Sequence, residues 1–473
     1  MNIISTTFLV SFTVFFIIYW LLKGNCKLQN VLLLIASYIF YSLIDWRCLI
    51  LLLATSFTSY FAGIFVEKQE RHRKTILVLD ILFNVGILFV FKYFNFFAQE
   101  FATLIGLNPD RILLNLILPV GISFYTFTAV GYVVDVFKGK TAATKDVIPF
   151  LNFLSFFPLI LSGPIERSNG LLPQFSQKRD FDYNLTCDGI QQIVWGLFKK
   201  VVIADNCASI VNIAFANYQN LPASSLAISA ILYSIQIYCD FSGYSDMAIG
   251  LSKMLGFRVR RNFNYPYFSL NVADFWRRWH MSLQSWLTDY IYIPLGGSRC
   301  SKSRVVLNTF IVFVVCGIWH GANWTFIAWG TYHAILFVPL LLFFSKEFRR
   351  KTVSTNGLFP NLSEMGMMLL TFVLITLGWI VFNSATIQDA FGYIAGIANA
   401  SIISKPIGIG LTSYAYLFVL LILLFVFEWT QRNKEYALQF KAPGWVKVLV
   451  MYALVAHVLF YNAAQSDFIY FQF

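Results

Sequence analysis

Charge is what this sequence has least of. Asp, Glu, Lys and Arg make up 12% of its 473 residues, about half the share of an ordinary soluble chain. Acids are the scarcer sign, 23 against 35 bases. No regular series of them runs through the apolar stretches as a proton relay would need, which argues against a pump. Several catalytic motifs are missing too. There is no GxxxxGK followed by Ser or Thr, hence no P-loop ATPase, and there is no GxSxG elbow or HExxH. The seven cysteines, at 26, 48, 187, 207, 239, 300 and 316, form no CxxC or other metal spacing. They read as packed, reduced thiols, and no metal is expected.

Apolar residues are abundant. They make up 58% of the chain, and 50 residues are Phe, which suits lipid-facing helices and interfacial belts. The chain is predicted to be an all-α polytopic membrane protein whose first partner is the bilayer. Its net charge of +12 sits mostly in short connections between apolar runs. It therefore reports orientation, and no nucleic-acid partner is expected. A span needs about 20 apolar residues. Candidate helices are 3–22, 30–45, 48–66, 75–91 and 112–137. The first lacks a positive leader and a small-residue cleavage site, so it reads as a retained helix. Basic connections at 23–29, 67–74 and 138–146 place those loops in the cytoplasm and the N-terminus outside.

After residue 146 the pattern becomes irregular. The run 149–169 is interrupted by Pro158, Gly163 and Pro164 and predicts re-entrant or interfacial structure. Its Glu166 and Arg167 suggest a local ion pair. The run 189–217 carries Lys199 and Lys200 near its middle and should bend or lie partly in the interface. The run 222–239 leads to CDFSGYSDMAIG, with Asp240 and Asp246, and then to Lys253, Arg258, Arg260 and Arg261. Residues 274–292 have the period of one amphipathic helix, with Asp274 as its N-cap and Pro294 beyond its end. A hairpin follows, flanked by Arg299, Lys302 and Arg304 on one side and Lys346 to Lys351 on the other. Both ends are thus expected in the cytoplasm. Its first arm, 305–319, rises roughly 22 Å, so His320 should sit in the outer part of the bilayer. Runs 364–382, 411–429 and 445–462 complete about eleven spans plus re-entrant pieces, with the C-terminus outside. No internal repeat is present. The chain reads as one membrane domain, 1–473: N-terminal helices (1–146), a core with the re-entrant pieces (147–345) and C-terminal helices (346–473).

A buried ionisable group in lipid is a candidate for function. His320 lies in WHGANW, and imidazole can act as a general base near neutral pH. Trp276, Trp279, Trp319, Asn323 and Trp324 would shape the pocket, with Asp246 nearby. A packing histidine is the alternative. For His280, taken alone, the structural role weighs more. Arg277, Arg278, Arg261 and Lys253 could hold phosphates, or simply mark the cytoplasmic side. Asp240 and Asp246 could orient a histidine or pair with an arginine.

The stretch DFWRRWHMSLQSWLTDYIYIPLGGSR, followed by GIWHGANWTFIAWG, strongly resembles the membrane-bound O-acyltransferase family. It is most similar to the bacterial branch of alginate O-acetylation. FFPLILSGPIER, QQIVWGLFKKVVIADN and IYCDFSGYSDMAIG resemble that branch too. The resemblance implies helices in a ring around a central funnel, with His320 at the waist as the signature histidine and His280 as the second. It also implies acetyl-CoA as acyl donor from the cytoplasm, an extracytoplasmic hydroxyl acceptor, and the bacterial inner membrane as location. The expected partners are a periplasmic SGNH-type acetyltransferase and polysaccharide synthesis machinery. A non-catalytic transporter or an assembly subunit of an exopolysaccharide export machine is the competing reading.

Overall fold

Several of the apolar runs begin their helices at a polar side chain that takes up the first free N–H groups. Ser5, Asn25, Asp45 and Asp146 do so for four N-terminal helices, and Asn361 with Glu364 forms a reciprocal capping box. The computed structural model describes residues 4–108, 112–114, 116–354, 357, 359–410, 415–461, 463, 466 and 468–469. Every regular element among them is helical, as a backbone in lipid requires.

In order the helices are α1 (Thr6–Leu21), α2 (Cys26–Ser42), α3 (Trp46–Lys68), α4 (Arg73–Leu88), α5 (Phe94–Leu104), α6 (Ile122–Phe137), α7 (Val147–Ser155), α8 (Phe157–Ile160) and α9 (Ser168–Phe175). Then come α10 (Tyr183–Leu197), α11 (Asp205–Ala216), α12 (Ala223–Met254), α13 (Val272–Arg278), α14 (Met281–Leu287), α15 (Lys302–His320) and α16 (Trp324–Phe343). The last are α17 (Lys346–Arg350), α18 (Leu362–Asn383), α19 (Ile387–Ile397), α20 (Ala415–Thr430) and α21 (Gly444–Phe460). Six continuous helical stretches are long and apolar enough to cross a membrane, and six shorter apolar ones accompany them among the described residues. The protein is a multi-pass membrane protein.

The chain divides into two units. One comprises 1–190 with 248–260. There α2, α3, α4, α6 and α7 pack together, and the members of a buried Ser59–Asp80–Asn84 group are hydrogen-bonded to one another at 2.9–3.1 Å. The other comprises 191–247 with 261–473 and holds both expected histidines. Its tightest feature is the α15–α16 hairpin. A Cβ at Gly317 would strike the Phe326 carbonyl, and one at Gly330 the Phe313 carbonyl. Small residues thus let the two backbones touch, which is how helices gain contact in lipid.

Several expectations need correction. The stretch 112–137 is helical only from Ile122, while α4 runs on through a wide turn, Phe89–Tyr93, into α5, where a loop was expected. The run 149–169 is broken as expected, at Phe156 between α7 and α8. Glu166 accepts from the backbone N–H of Arg260 at 2.6 Å and lies 3.9 Å from its guanidinium. Its partners therefore include a residue remote in sequence, in addition to neighbouring Arg167. Residues 411–414, where one span was expected to begin, and the extreme termini lie outside the described residues.

The amphipathic stretch 274–292 is not one helix. It is α13 and α14, with Trp279 and His280 between them. Asn271, not Asp274, is the N-cap, accepting from the Asp274 N–H at 2.8 Å. His280 stands in the left-handed region at φ 42° and ψ 54°, a conformation a non-glycine residue adopts only when its surroundings impose it. Asn262 imposes it by accepting the Met281 N–H through its backbone carbonyl at 2.8 Å. Periodicity cannot reveal a break made by a residue this far away.

Candidate active site

His320 is the last residue of α15 and is buried. Three rings meet it edge-on: Trp319, Trp329 and Phe382, with centroids 4.9, 5.0 and 5.1 Å away. Cys316, one turn back, brings its Sγ to 3.9 Å from Nε2. His280 is also buried, with Nδ1 3.3 Å from Asn262 Oδ1. That amide oxygen accepts from Ser282 Oγ at 2.6 Å, and the amide nitrogen donates to Ser245 at 3.1 Å. The amide is held from both ends, so it orients the imidazole. Trp319 touches both histidines, 5.9 Å from His280 and 4.9 Å from His320. The two histidines, distant in sequence, thus share one wall.

A third histidine, which sequence reasoning passed over, belongs to that wall. His333 on α16 is fully buried, and neither ring nitrogen has a hydrogen-bond partner among the described residues. Trp276 and Trp329 each lie 4.9 Å from it, and Trp329 also faces His320. Treating every histidine inside an apolar run alike would have found it. Trp329 lies in the GIWHGANWTFIAWG stretch but was not singled out, and Asn262 and Phe382 carried no local signal, because only the fold brings them near.

The other expected site residues separate. Trp279 packs into the core against Trp379, tilted at 47° with centroids 4.8 Å apart. Asn323 caps α16 and donates to the Ala385 carbonyl at 3.0 Å. Trp324 is half exposed. Arg278 is buried and binds Asp274 at 3.0 Å, while Arg277 reaches the same carboxylate at 3.2 Å with a half-exposed side chain. Arg261 joins them through Asn264, to which Arg261 and Arg278 both donate. Lys253 lies in the other unit, paired with Asp188 at 2.7 Å.

Among the described residues Asp240 and Asp246 pair with neither histidine nor arginine. Seven residues between α10 and α11, Phe198–Ala204, wind in a wider π turn, and both Lys199 and Lys200 are buried there. Lys199 meets Asp246 at 2.6 Å and Ser242 at 2.8 Å. Lys200 meets Asp205 and Asp240, each at 2.7 Å. The far end of the chain completes the group. The Ser466 carbonyl accepts from Lys200 at 2.9 Å, and the Ile469 N–H donates to Asp240 at 2.8 Å.

Comparison with known proteins supplies the class of this multi-pass helical protein, whose imidazoles are buried at an aromatic wall. Residues 1–384 match the model of MBOAT, the membrane-bound O-acyltransferase family. The chain belongs to that family and is an acyltransferase. It is 38% identical over 395 residues to the probable alginate O-acetylase AlgI of Pseudomonas aeruginosa, covering 82% of this chain and 73% of the relative. It is 34% identical to the protein of that name in Pseudomonas putida, over 99% of each chain. It is also 29% identical to the peptidoglycan O-acetyltransferase of Helicobacter pylori, over 97% of this chain and 94% of the other.

Proposed function

We propose that this protein moves an acetyl group from cytoplasmic acetyl-CoA to an extracytoplasmic hydroxyl, with His320 as general base. The observation that carries the reading is the placement of His320. It ends a helix whose other end, Lys302 to Arg304, is basic, and it shares Trp319 with an oriented second histidine. A basic end facing the cytoplasm puts the imidazole toward the opposite side. The acceptor oxygen attacks the acetyl carbonyl carbon while His320 takes its proton. The carbon–sulfur bond breaks, and the leaving CoA sulfur recovers the proton. His280, held by Asn262, positions the reactants. Arg277 and Arg278, joined by Arg261, offer positive charge to the phosphates of CoA. Trp276, Trp279, Trp319, Asn323, Trp324 and Asp246 are proposed to line or support the substrate path.

The whole chain, 1–473, acts as one membrane domain in the bacterial inner membrane, with both termini in the periplasm. The names of its relatives support a polysaccharide as final acceptor, reached directly or through the serine of a periplasmic SGNH-type partner beside the synthesis machinery. His320 is only 3% exposed, so the reading requires Phe382 or the flanking tryptophans to move when substrates arrive. The test is His320→Ala in membranes supplied with acetyl-labelled acetyl-CoA. Loss of transfer at an unchanged protein level supports the reading, and undiminished transfer overturns it.

A further inference from the structure

Two cavities, against α1 with α2 and against α12 with α20, are walled almost wholly by aliphatic and aromatic side chains and have the chemistry of lipid-facing grooves. A third differs. It has a volume of about 450 Å3, within the range of small-molecule sites. Amides and a carboxylate line it: Asn217, Gln219, Asn220, Asn383 and Asp389, with Tyr218 among them. Phe215 and Tyr393, stacked at 4.4 Å, form its aromatic back, and Tyr218 lies 6.0 Å from Tyr393. Tyr218 donates to Asp389 at 3.2 Å, and Gln219 donates to Tyr218 at 3.4 Å.

The cavity adjoins the reacting centre. Phe382, whose ring is 5.1 Å from His320, is followed in the chain by Asn383 and Ser384 of the lining. Asn323 of the WHGANW turn donates to Ala385, another lining residue. This is the end of the α15–α16 hairpin away from its basic flanks.

We infer that this cleft binds a neutral sugar unit of the acceptor glycan. Each sugar hydroxyl both donates and accepts, and side-chain amides offer both functions. The apolar C–H face of a pyranose packs on aromatic rings, and the half-buried rings of Phe215 and Tyr218 supply them at the edge of a core in which Tyr393 is buried. Among the described residues none lining it is a cation, so it has no counter-charge for a uronate or a phosphate. The assignment rests on the acetyl-transfer reading for the sugar's role as acceptor, but not for its binding.

The experiment is saturation-transfer NMR of the full chain in detergent, with cellotetraose as probe and a tetrauronate as control. Cellotetraose should bind and the uronate should not. Tyr218→Ala with Gln219→Ala should weaken binding about tenfold or more, the equivalent of roughly one lost contact. Asn220→Trp, an exposed position where added bulk fills the cleft without removing a core contact, should do the same. His320→Ala should leave binding unchanged, which separates this proposal from the catalytic one. Absence of cellotetraose binding, or binding indifferent to both cleft variants, overturns the inference. So does loss of a co-purifying periplasmic protein in Asn220→Trp while cellotetraose still binds, because the cleft would then dock protein.

Discussion

Two sets of polar side chains are buried in the unit formed by 191–247 and 261–473, and they follow opposite rules. Around Lys199 and Lys200 each ammonium meets carboxylates at 2.6–2.7 Å, with hydroxyls and backbone groups filling the remaining positions. Around His320 and His333 the neighbours are rings. Full charges in a low dielectric cannot persist without partners, and removing one strands the other. An uncharged imidazole can sit among rings without a counter-ion. The comparison teaches that the lysine cluster, although richer in ionisable groups, is the fastener. The sparsely polar wall is where, on the proposed reading, a substrate finds its proton acceptor.

Four substitutions would break or sharpen that contrast. His320→Ala should lower acetyl transfer by about 10²- to 10⁴-fold, the usual worth of a general base, with the protein still folded in membranes. Lys200→Met should act the other way round. It leaves Asp205 and Asp240 buried without their cation and should cost about 3–5 kcal/mol of stability, read as a lowered melting midpoint in detergent. Adding Asp205→Asn and Asp240→Asn should recover much of that loss. If Lys200→Met instead leaves the midpoint unchanged but stops transfer, the cluster is catalytic and the contrast fails. Asn262→Ala should reduce turnover about tenfold, the worth of one good hydrogen bond, by freeing His280 to rotate. The KM for acetyl-CoA should stay the same, and a change confined to KM would remove His280 from the reacting centre. His333→Phe is expected to do least. It keeps a ring among rings and removes two polar atoms that lack partners, so stability should hold or rise by about 1–3 kcal/mol with transfer intact. A fall in turnover at full stability would add His333 to the machinery.

The legibility of the sequence followed the range of each interaction. The apolar runs of the hairpin and of α18 were read nearly to their ends, because twenty apolar residues between basic turns admit few alternatives. His320 and His280 were found because local motifs mark them. The break at His280 was invisible, since it depends on Asn262. Lys199 and Lys200 suggested a bend or an interfacial position, whereas the chain buries both by bringing carboxylates from α11 and α12 and backbone groups from residues 466 and 469. No rule of spacing connects Lys200 with Ser466.

From the order of residues alone follow the membrane class, the family and the two histidines that carry its motifs, because hydropathy and short motifs are local properties of a chain. The tertiary structure decided which charges cancel, which tryptophans wall the imidazoles, and that a polar cleft opens beside Phe382. Each of these depends on contacts between residues far apart in the chain. In a medium without water, such contacts are the only way a buried polar group can be satisfied.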